Sequence, residues 1–126
     1  TAHCYKFYHY KDIKQHDLSS VIYVGYGGGP IFENVDRKIK EFFPNADLLY
    51  SYGASEIGAC LRKIPGSTKV CCSGRVQRHY QIKVVDSKDG RILGANERGE
   101  IYVKSPYMIL KYHKNPESTR RAIDDD

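Results

Sequence analysis

Residues 48–56 (LLYSYGASE) constrain the fold of this chain more than any other stretch. They begin as an apolar run typical of a strand, turn at Gly53, and then place the hydroxyl of Ser55 beside the carboxylate of Glu56. Strand ends that turn sharply are where α/β proteins bind their ligands. Because a hydroxyl can donate to a phosphate oxygen and a carboxylate is a hard ligand for Mg²⁺, the stretch fits a nucleotide-phosphate and metal corner. A strand end with a solvated Ser-Glu pair, or a helix start with Glu56 in its first turn, fits the same residues.

The overall charge indicates which partners the chain favours. Lys and Arg number 20 against 15 Asp and Glu, a net charge of +5 that favours anionic ligands. The basic residues are scattered, and their densest cluster is the pair Arg120-Arg121, which argues against nucleic-acid binding. No apolar run approaches the roughly 20 residues of a membrane span, and no secretory signal opens the chain. The four cysteines form no C-x-x-C pair, which indicates reduced thiols in an intracellular protein.

The first half is predicted to be a strand–helix–strand unit. Residues 19–26 are β-branched, aromatic and mostly apolar, as in a parallel strand covered on both faces. Pro30 suits the first position of the following helix. Apolar residues then recur at helical spacing, at Ile31, Val35, Ile39 and Phe42. Pro44 stops this helix, and residues 47–52 form the next strand, so the sequence predicts a parallel pair with a right-handed crossover.

Shorter patterns predict the other elements. These are a helix at residues 8–14, strands at 57–64, 70–76, 81–86, 91–93 and 100–104, and a helix at 115–123. Residues 87–90 (SKDG) mark a hairpin turn, and residues 100–104 (EIYVK) alternate, so one face of that strand is expected to be buried. The predicted fold class is α/β, a βαβ piece of a parallel sheet followed by antiparallel hairpins of a barrel-like subdomain. We expect the α/β subdomain at residues 1–64 and the β-rich one at residues 65–126, together a partial domain.

Several short motifs follow one another in a set order. They are residues 27–30 (GGGP), 52–56 (YGASE), Gly74, 83–86 (KVVD), 99–103 (GEIYV), Tyr112, 115–117 (NPE) and Thr119. In order and spacing this set closely resembles the adenylate-forming superfamily, which includes acyl-CoA synthetases, 4-coumarate-CoA ligases and firefly luciferase. The resemblance extends over nearly the whole chain from Asp17 onward. Each motif is short, so the resemblance depends on the ordered set.

The resemblance implies a reaction and its substrates. Enzymes of this superfamily join a carboxylic acid to ATP, release pyrophosphate, and pass the acyl group to CoA or, in luciferase, oxidise it. It therefore implies ATP or AMP, Mg²⁺ and CoA as cofactors and co-substrates, and a small carboxylic acid as the other substrate. It also implies an intracellular location, peroxisomal or cytoplasmic.

The resemblance assigns roles to individual residues as well. The implied nucleotide-binding residues are Gly27, Gly28, Gly29, Pro30, Ser51, Tyr52, Gly53, Ala54 and Ser55. Among them, Tyr52 resembles the aromatic residue that stacks on adenine. Ser55 occupies the position of a threonine whose hydroxyl holds the adenylate phosphate, and Glu56 resembles the magnesium ligand. Ser55 and Glu56 are the implied catalytic residues, because a hydroxyl and a metal ion would offset charge on the α-phosphoryl group.

The chain departs from the superfamily pattern in two ways. Gly29 replaces an alanine, and Cys71, Ser105 and Lys111 stand where relatives often have glycine. If those glycines adopt positive φ, each replacement costs about 1–2 kcal/mol. The superfamily's phosphate loop, its ribose-binding Thr-Gly-Asp and its C-terminal lid with the catalytic lysine do not occur in these 126 residues. We therefore expect an internal fragment that carries one wall of the AMP site, needs the remainder of its own chain and is inactive alone. The alternatives are a non-catalytic ligand-binding paralogue and a luciferase-type monooxygenase.

Overall fold

The computed structural model describes residues 1–124, which form three helices, six strands and a short 3₁₀ turn. The helices are α1 (Ala2–His9), α2 (Glu33–Phe42) and α3 (Pro116–Ala122), with the 3₁₀ turn at Ile13–Gln15. The strands are β1 (Tyr23–Gly27), β2 (Asp47–Ala54), β3 (Gly58–Arg62), β4 (Arg75–Val76), β5 (Gln81–Val85) and β6 (Glu100–Lys104). None of the helices described in residues 1–124 is long and apolar enough to cross a membrane.

β1, α2 and β2 form the predicted βαβ unit. β1 and β2 are parallel, in a register that pairs Tyr23 with Asp47 and Gly27 with Ser51. The first four strands form one sheet in the order β1-β2-β3-β4, and the pairs β2–β3 and β3–β4 are antiparallel. β5 and β6 form a separate antiparallel pair. The predicted fold class is confirmed, while the subdomain division at residue 64 stays a prediction.

The core lies between α1, α2 and one face of the first two strands. α2 buries Val35 and Ile39 and exposes most of its charged side chains, as its helical spacing predicts. The buried cluster comprises Cys4, Tyr26, Ile31, Val35, Ile39, Phe43 and Ala46. Burial of large apolar side chains stabilises a fold by about 1.5–3 kcal/mol each, so this cluster fixes α2 against β1 and β2.

The first helix lies earlier than predicted. The helix expected over residues 8–14 is found at Ala2–His9 instead. Its start is tied to the turn after β1, because the Thr1 hydroxyl lies 2.8 Å from the carbonyl oxygen of Gly27 and 2.9 Å from that of Gly29 and can donate its one hydrogen to either. The prediction was wrong because these tertiary contacts outweigh the local pattern.

α2 begins later than predicted. Pro30 was expected at the first helical position, but the helix starts at Glu33 and Phe32 is extended. Ile31, between Pro30 and Phe32, lies in the core with 6% of its surface exposed, and its burial holds residues 30–32 out of the helix. The predicted end is confirmed, since α2 finishes at Phe42, shortly before the proline that cannot continue it.

The strands of the second half are shorter than predicted. Residues 70–76 contribute only the two-residue β4, and residues 91–93 contribute a single bridge between Val85 and Ile92. The expected buried face of β6 is also wrong, because Ile101 is 41% exposed. Alternation decides which residues share a face of a strand, but not whether another layer covers that face.

One of the three residues at family glycine positions has a left-handed backbone. Cys71 has φ of +52°, the conformation that favours glycine, so the expected strain applies there. Ser105 and Lys111 do not adopt positive φ, and the strain argument does not apply to them.

Candidate functional site

An open groove of about 850 Å³ lies on the sheet, at the ends of β1 and β2. Val24, Leu48 and Tyr50 pack against the core, and Gly25, Leu49 and Ser51, which alternate with them, line the groove. The groove is lined by Gly25, Tyr26, Gly27, Gly28, Leu49, Ser51, Gly53, Ala54, Ser55, Gly58, Ala59 and Arg62. Most of these residues are glycine, alanine or serine, and the space exists because their side chains are so small.

The glycines of the groove have two different roles. A Cβ built on Gly25 or Gly28 would meet nothing within 4 Å, so these positions leave open space in the groove. A Cβ on Gly53 would lie 1.9 Å from a carbonyl oxygen of β3, and one on Gly27 would lie 2.6 Å from the carbonyl oxygen of Ser51. Gly27 and Gly53 are therefore required for the strands to approach, whereas Gly25 and Gly28 leave room for a ligand.

The groove brings together the two glycine turns that the sequence singled out. Of the predicted site residues, Gly27, Gly28, Ser51, Gly53, Ala54 and Ser55 line it, and Gly29, Pro30, Tyr52 and Glu56 are not among its lining residues. Gly29 has a structural contact instead, because its carbonyl accepts from the Tyr50 hydroxyl at 2.9 Å. The ends of two adjacent parallel strands thus meet around one space.

Tyr52 is not among the residues that line the groove, although Ser51 and Gly53 on either side of it are. The pairing of β2 with β3 shifts register between Tyr52 and Gly53. The Tyr52 side chain is 39% exposed, and its backbone carbonyl accepts from the buried Cys60 thiol at 3.6 Å. Stacking of this ring on adenine stays a prediction.

Ser55 and Glu56 form the turn between β2 and β3. Ser55 is exposed and Glu56 is half-buried. The Tyr112 hydroxyl donates to Oε1 of Glu56 at 2.7 Å, and the backbone N–H of Ile109 donates to the Glu56 carbonyl at 2.8 Å. The Tyr112 hydroxyl, with a backbone hydrogen bond, holds the pKa of Glu56 below its ordinary value. The carboxylate is therefore ionised at neutral pH.

Glu56 has the chemistry of a magnesium ligand. Within residues 1–124, no three His, Cys, Asp or Glu side chains come together to hold a metal ion. Mg²⁺ does not need such a cluster, since proteins commonly bind it through one or two carboxylates together with waters and substrate phosphates. Glu56 fits that mode, because Tyr112 engages one carboxylate oxygen and the other has no hydrogen-bond partner in the described part of the chain.

The family follows from the sequence as a whole. The profile of the family described as AMP-binding enzyme matches residues 2–113 of the 126. This chain belongs to the AMP-binding enzymes. The predicted superfamily resemblance is therefore confirmed.

The relatives of this AMP-binding chain include luciferases and CoA ligases. It is 35% identical over 115 residues to a luciferin 4-monooxygenase of Luciola mingrelica. That match covers 90% of this chain and 21% of the relative. It is also 34% identical over 120 residues to a 4-coumarate-CoA ligase of Petroselinum crispum. That match covers 90% of this chain and 22% of the relative. The chain thus spans about a fifth of the length of these curated relatives.

Solved structures of AMP-binding enzymes share this fold. The luciferase-like enzyme of the nonluminescent mealworm Zophobas morio matches with a TM-score of 0.80 and 32% identity, over 90% of this chain and 28% of that one. The anthranilate CoA ligase AuaEII, solved in complex with anthranoyl-AMP, matches with a TM-score of 0.81 and 27% identity, over 89% of this chain and 22% of that one. The α/β segment seen here is therefore a recurrent piece of the adenylate-forming fold.

Two residues of this AMP-binding chain's candidate site were not predicted as site residues, although Tyr112 was named among the ordered motifs. Arg62 is the only charged residue among the described groove lining, and it pairs across the sheet with Ser51. The β2–β3 hairpin could have revealed it, because residues paired across antiparallel strands share a face. Tyr112 reaches Glu56 across a separation of 56 residues, and no local pattern in the sequence indicates that contact.

A buried polar network lies beside the groove wall. The Tyr26 hydroxyl donates to the carboxylate of Asp36 in α2, and Nζ of Lys63 lies 3.8 Å from Oδ2 of the same residue. The side chains of Asp36 and Lys63 are only 3% and 7% exposed. Burial, together with the Asp36 carboxylate, raises the pKa of Tyr26, so its hydroxyl stays protonated as a donor. The network joins β1, α2 and the end of β3 next to Gly27.

Proposed function

We propose that this chain is an internal segment of an ATP-dependent, AMP-forming acid–CoA ligase and supplies one wall of its AMP site. The observation that carries the proposal is the groove in which the Gly27–Gly28 turn and the Ser51–Ser55 strand end face one space. Such a crevice at the carboxyl ends of parallel strands is where α/β folds bind nucleotides. Membership of the AMP-binding family supports the same assignment.

The groove residues suit the parts of an adenylate. Backbone groups at Gly27 and Gly28 can approach a flat base edge closely, because Gly28 has no side chain and its φ is +72°. The exposed hydroxyl of Ser55 can donate to the α-phosphate at the other end of the groove. Arg62 adds a positive charge that favours an anionic ligand. We propose Ser55 as a catalytic residue that stabilises charge on the α-phosphoryl group while the substrate carboxylate attacks the α-phosphorus and pyrophosphate leaves.

Glu56 is the residue that we propose to hold Mg²⁺. Bound there, the ion would offset the negative charge of the phosphates. The chain's own contribution is an ionised carboxylate whose orientation is fixed by Tyr112 and whose backbone is fixed by Ile109. The acid, ATP and CoA are the proposed substrates. An intracellular location, in the peroxisome or cytoplasm, belongs to the same proposal.

The segment is proposed to be inactive by itself. It spans about a fifth of the length of its curated relatives, and its groove is open to solvent. Acyl transfer requires exclusion of water from reactive intermediates, which an open groove does not provide. The remainder of the polypeptide is therefore expected to close the site.

The decisive assay is ATP–pyrophosphate exchange by the complete enzyme that carries this chain. We expect exchange that depends on a fatty or aryl acid, formation of acyl-CoA when CoA is added, and no exchange by residues 1–126 alone. Glu56→Gln is expected to lower the exchange rate by about 100-fold or more, because it removes a charge that acts on the phosphates. Glu100→Gln, at an exposed position on β6, is the control and should leave the rate unchanged.

Two results would redirect the proposal. A near-normal rate for Glu56→Gln would remove this residue from the mechanism. Tight ATP binding by the complete protein without exchange for any acid tested would favour a non-catalytic ligand-binding paralogue.

A luciferase-type monooxygenase is the second candidate. The observation that favours it is the 35% identity to a luciferin 4-monooxygenase. Adenylation is common to both candidates, so the exchange assay does not separate them. Light emission from the complete enzyme with ATP, Mg²⁺ and luciferin would support the second candidate, and acyl-CoA formation without light would support the first.

A further inference from the structure

We propose that Tyr112 is a positioning residue that holds the Glu56 carboxylate in its working orientation. This inference rests on the proposed function of Glu56 and extends it to a part of the chain that does not line the groove. The carrying observation is the 2.7 Å hydrogen bond from the Tyr112 hydroxyl to Oε1 of Glu56.

The Glu56 turn is held from outside the sheet at three points. The Tyr112 hydroxyl binds the carboxylate, and the Ile109 N–H binds the Glu56 carbonyl at 2.8 Å. The Tyr80 hydroxyl donates to the carbonyl of Ile57 at 2.8 Å. The backbone of the turn thus has its own contacts, and Tyr112 makes the one contact that acts on the carboxylate itself.

Tyr112 is itself anchored by the start of α3. Its backbone N–H donates to Oγ1 of Thr119 at 3.0 Å, and its carbonyl accepts from the N–H of Asn115 at 3.3 Å. Asn115 caps α3, as the sequence predicts, by accepting from the N–H of Ser118 at 3.0 Å. The hydroxyl is therefore presented from a fixed point, which is what a residue that orients another side chain requires.

Packing in the hydrophobic core does not explain the position of Tyr112, which lies outside that core. The side chain is half-buried, and it is not part of the hydrophobic core cluster, which lies between α1, α2 and the first strands. Its hydroxyl engages one oxygen of Glu56 and leaves the other without a partner in residues 1–124. A carboxylate held in this way keeps one oxygen aimed for a cation, and outer partners of metal ligands typically contribute 10–100-fold to metal affinity or activity.

The test compares two tyrosines of one loop in the complete enzyme. Tyr112→Phe removes only the hydroxyl, and Tyr107→Phe is the control, since that ring is 61% exposed and its hydroxyl makes no hydrogen bond within the described residues. We expect Tyr112→Phe to raise the Mg²⁺ concentration for half-maximal ATP–pyrophosphate exchange by about 10-fold. Mn²⁺ binding to the enzyme–ATP-analogue complex, followed by electron paramagnetic resonance, should weaken by a similar factor. AMP affinity measured without divalent metal should stay unchanged, as it should in the control.

The double variant Glu56→Gln/Tyr112→Phe gives a second readout. If Tyr112 acts through Glu56, this variant should be no slower than Glu56→Gln alone. Equal metal requirements for Tyr112→Phe and Tyr107→Phe would overturn the inference. So would a loss of AMP affinity parallel to the loss of metal affinity, because that pattern indicates a general structural role.

The same measurements separate this inference from the proposed function. A wild-type enzyme that shows no exchange with any acid would defeat the proposed function, and the positioning role with it. A wild-type enzyme that is active and sensitive to Glu56→Gln, but insensitive to Tyr112→Phe, would defeat the positioning role alone.

Discussion

Removal of one charge from the buried Asp36–Lys63 pair is expected to destabilise the βαβ unit far more than removal of both charges. The two side chains are 3% and 7% exposed, and Nζ of Lys63 lies 3.8 Å from Oδ2 of Asp36. Tyr26 donates to the same carboxylate from β1. Lys63→Met would leave a buried carboxylate without its cation, and Asp36→Asn would leave a buried ammonium without its anion.

The magnitude follows from the distance and the burial. Two unit charges 3.8 Å apart attract by about 4 kcal/mol at an effective dielectric constant of about 20. Loss of one partner of a buried pair is also observed to cost about 3–5 kcal/mol, because the remaining charge stays desolvated. The double variant Asp36→Asn/Lys63→Met removes both charges and keeps an acceptor for Tyr26. It is expected to lie within about 1–2 kcal/mol of the wild type.

Hydrogen exchange of the backbone amides of α2 and β1 measures the free energy of opening of this unit, even within a larger protein. The control is the exposed pair between Arg37 and Glu33 on the same helix, whose side chains are 66% and 53% exposed. Arg37→Met should leave the opening free energy nearly unchanged, because water already screens this exposed pair. Each pair includes at least one residue of α2, and the two pairs differ in burial.

Two outcomes would refute this reasoning. If the two single variants cost less than about 1 kcal/mol each, the pair is solvated in the working protein and the buried network does not exist as described. If the double variant costs the sum of the single variants, the charges act independently and the calculated attraction between Asp36 and Lys63 is wrong.

Three further predictions concern the groove, a strained residue and acid stability. Gly53→Ala should destabilise the sheet by about 3 kcal/mol, because the new methyl would overlap the backbone of β3. Gly25→Ala should change stability by less than about 0.5 kcal/mol and yet weaken ATP binding, because its methyl would enter the open groove. Hydrogen exchange measures the stability of both variants, and ATP titration measures their affinity. Cys71→Gly should raise the thermal midpoint, because the relief of about 1–2 kcal/mol of left-handed strain outweighs the added unfolded-state entropy and the loss of the weak hydrogen bond that the thiol donates to the Ile31 carbonyl at 3.2 Å. The Gly94 amide, and after it Arg91, hold the pKa of Glu97 below its ordinary value of 4.5. The ionised Glu97 therefore stabilises the folded chain above that pH, and this stabilisation is lost as the pH falls through the lowered pKa. Glu97→Gln should lower the thermal midpoint at neutral pH and much less in acid.

The βαβ unit could be predicted from the sequence because its signals are local. Helical spacing from Ile31 to Phe42, the stop at Pro44 and the apolar run of β2 each depend on residues close together in the chain. The same holds for the cap at Asn115. The first helix was misplaced because its start depends on contacts between Thr1 and the distant turn after β1. Boundaries of this kind are decided by tertiary packing, which no window of the sequence contains.

The candidate site also has a part that could be predicted from the sequence and a part that could not. The meeting of the Gly27 turn with Ser55 follows from parallel pairing, and parallel pairing follows from the local patterns. Strand alternation gives the groove face of Gly25, Leu49 and Ser51, but the register shift between Tyr52 and Gly53 could not be read from the sequence. The resemblance to a superfamily supplied roles for these residues without supplying that geometry.

The contact between Tyr112 and Glu56 follows neither from local sequence patterns nor from strand pairing. It shows how the second half of the chain contributes to the candidate site. The strands that form the groove come from the first half of the chain, and Tyr112, which binds the carboxylate, lies just before the cap of the last helix. A carboxylate on an exposed turn samples several rotamers in water, so an isolated groove would bind a phosphate-bound cation weakly. Under the function proposed above, the second half of the chain would supply the contact that fixes the direction of the Glu56 carboxylate. Variants at Tyr112 should then act on the cation, while variants at Gly25 act on the nucleotide.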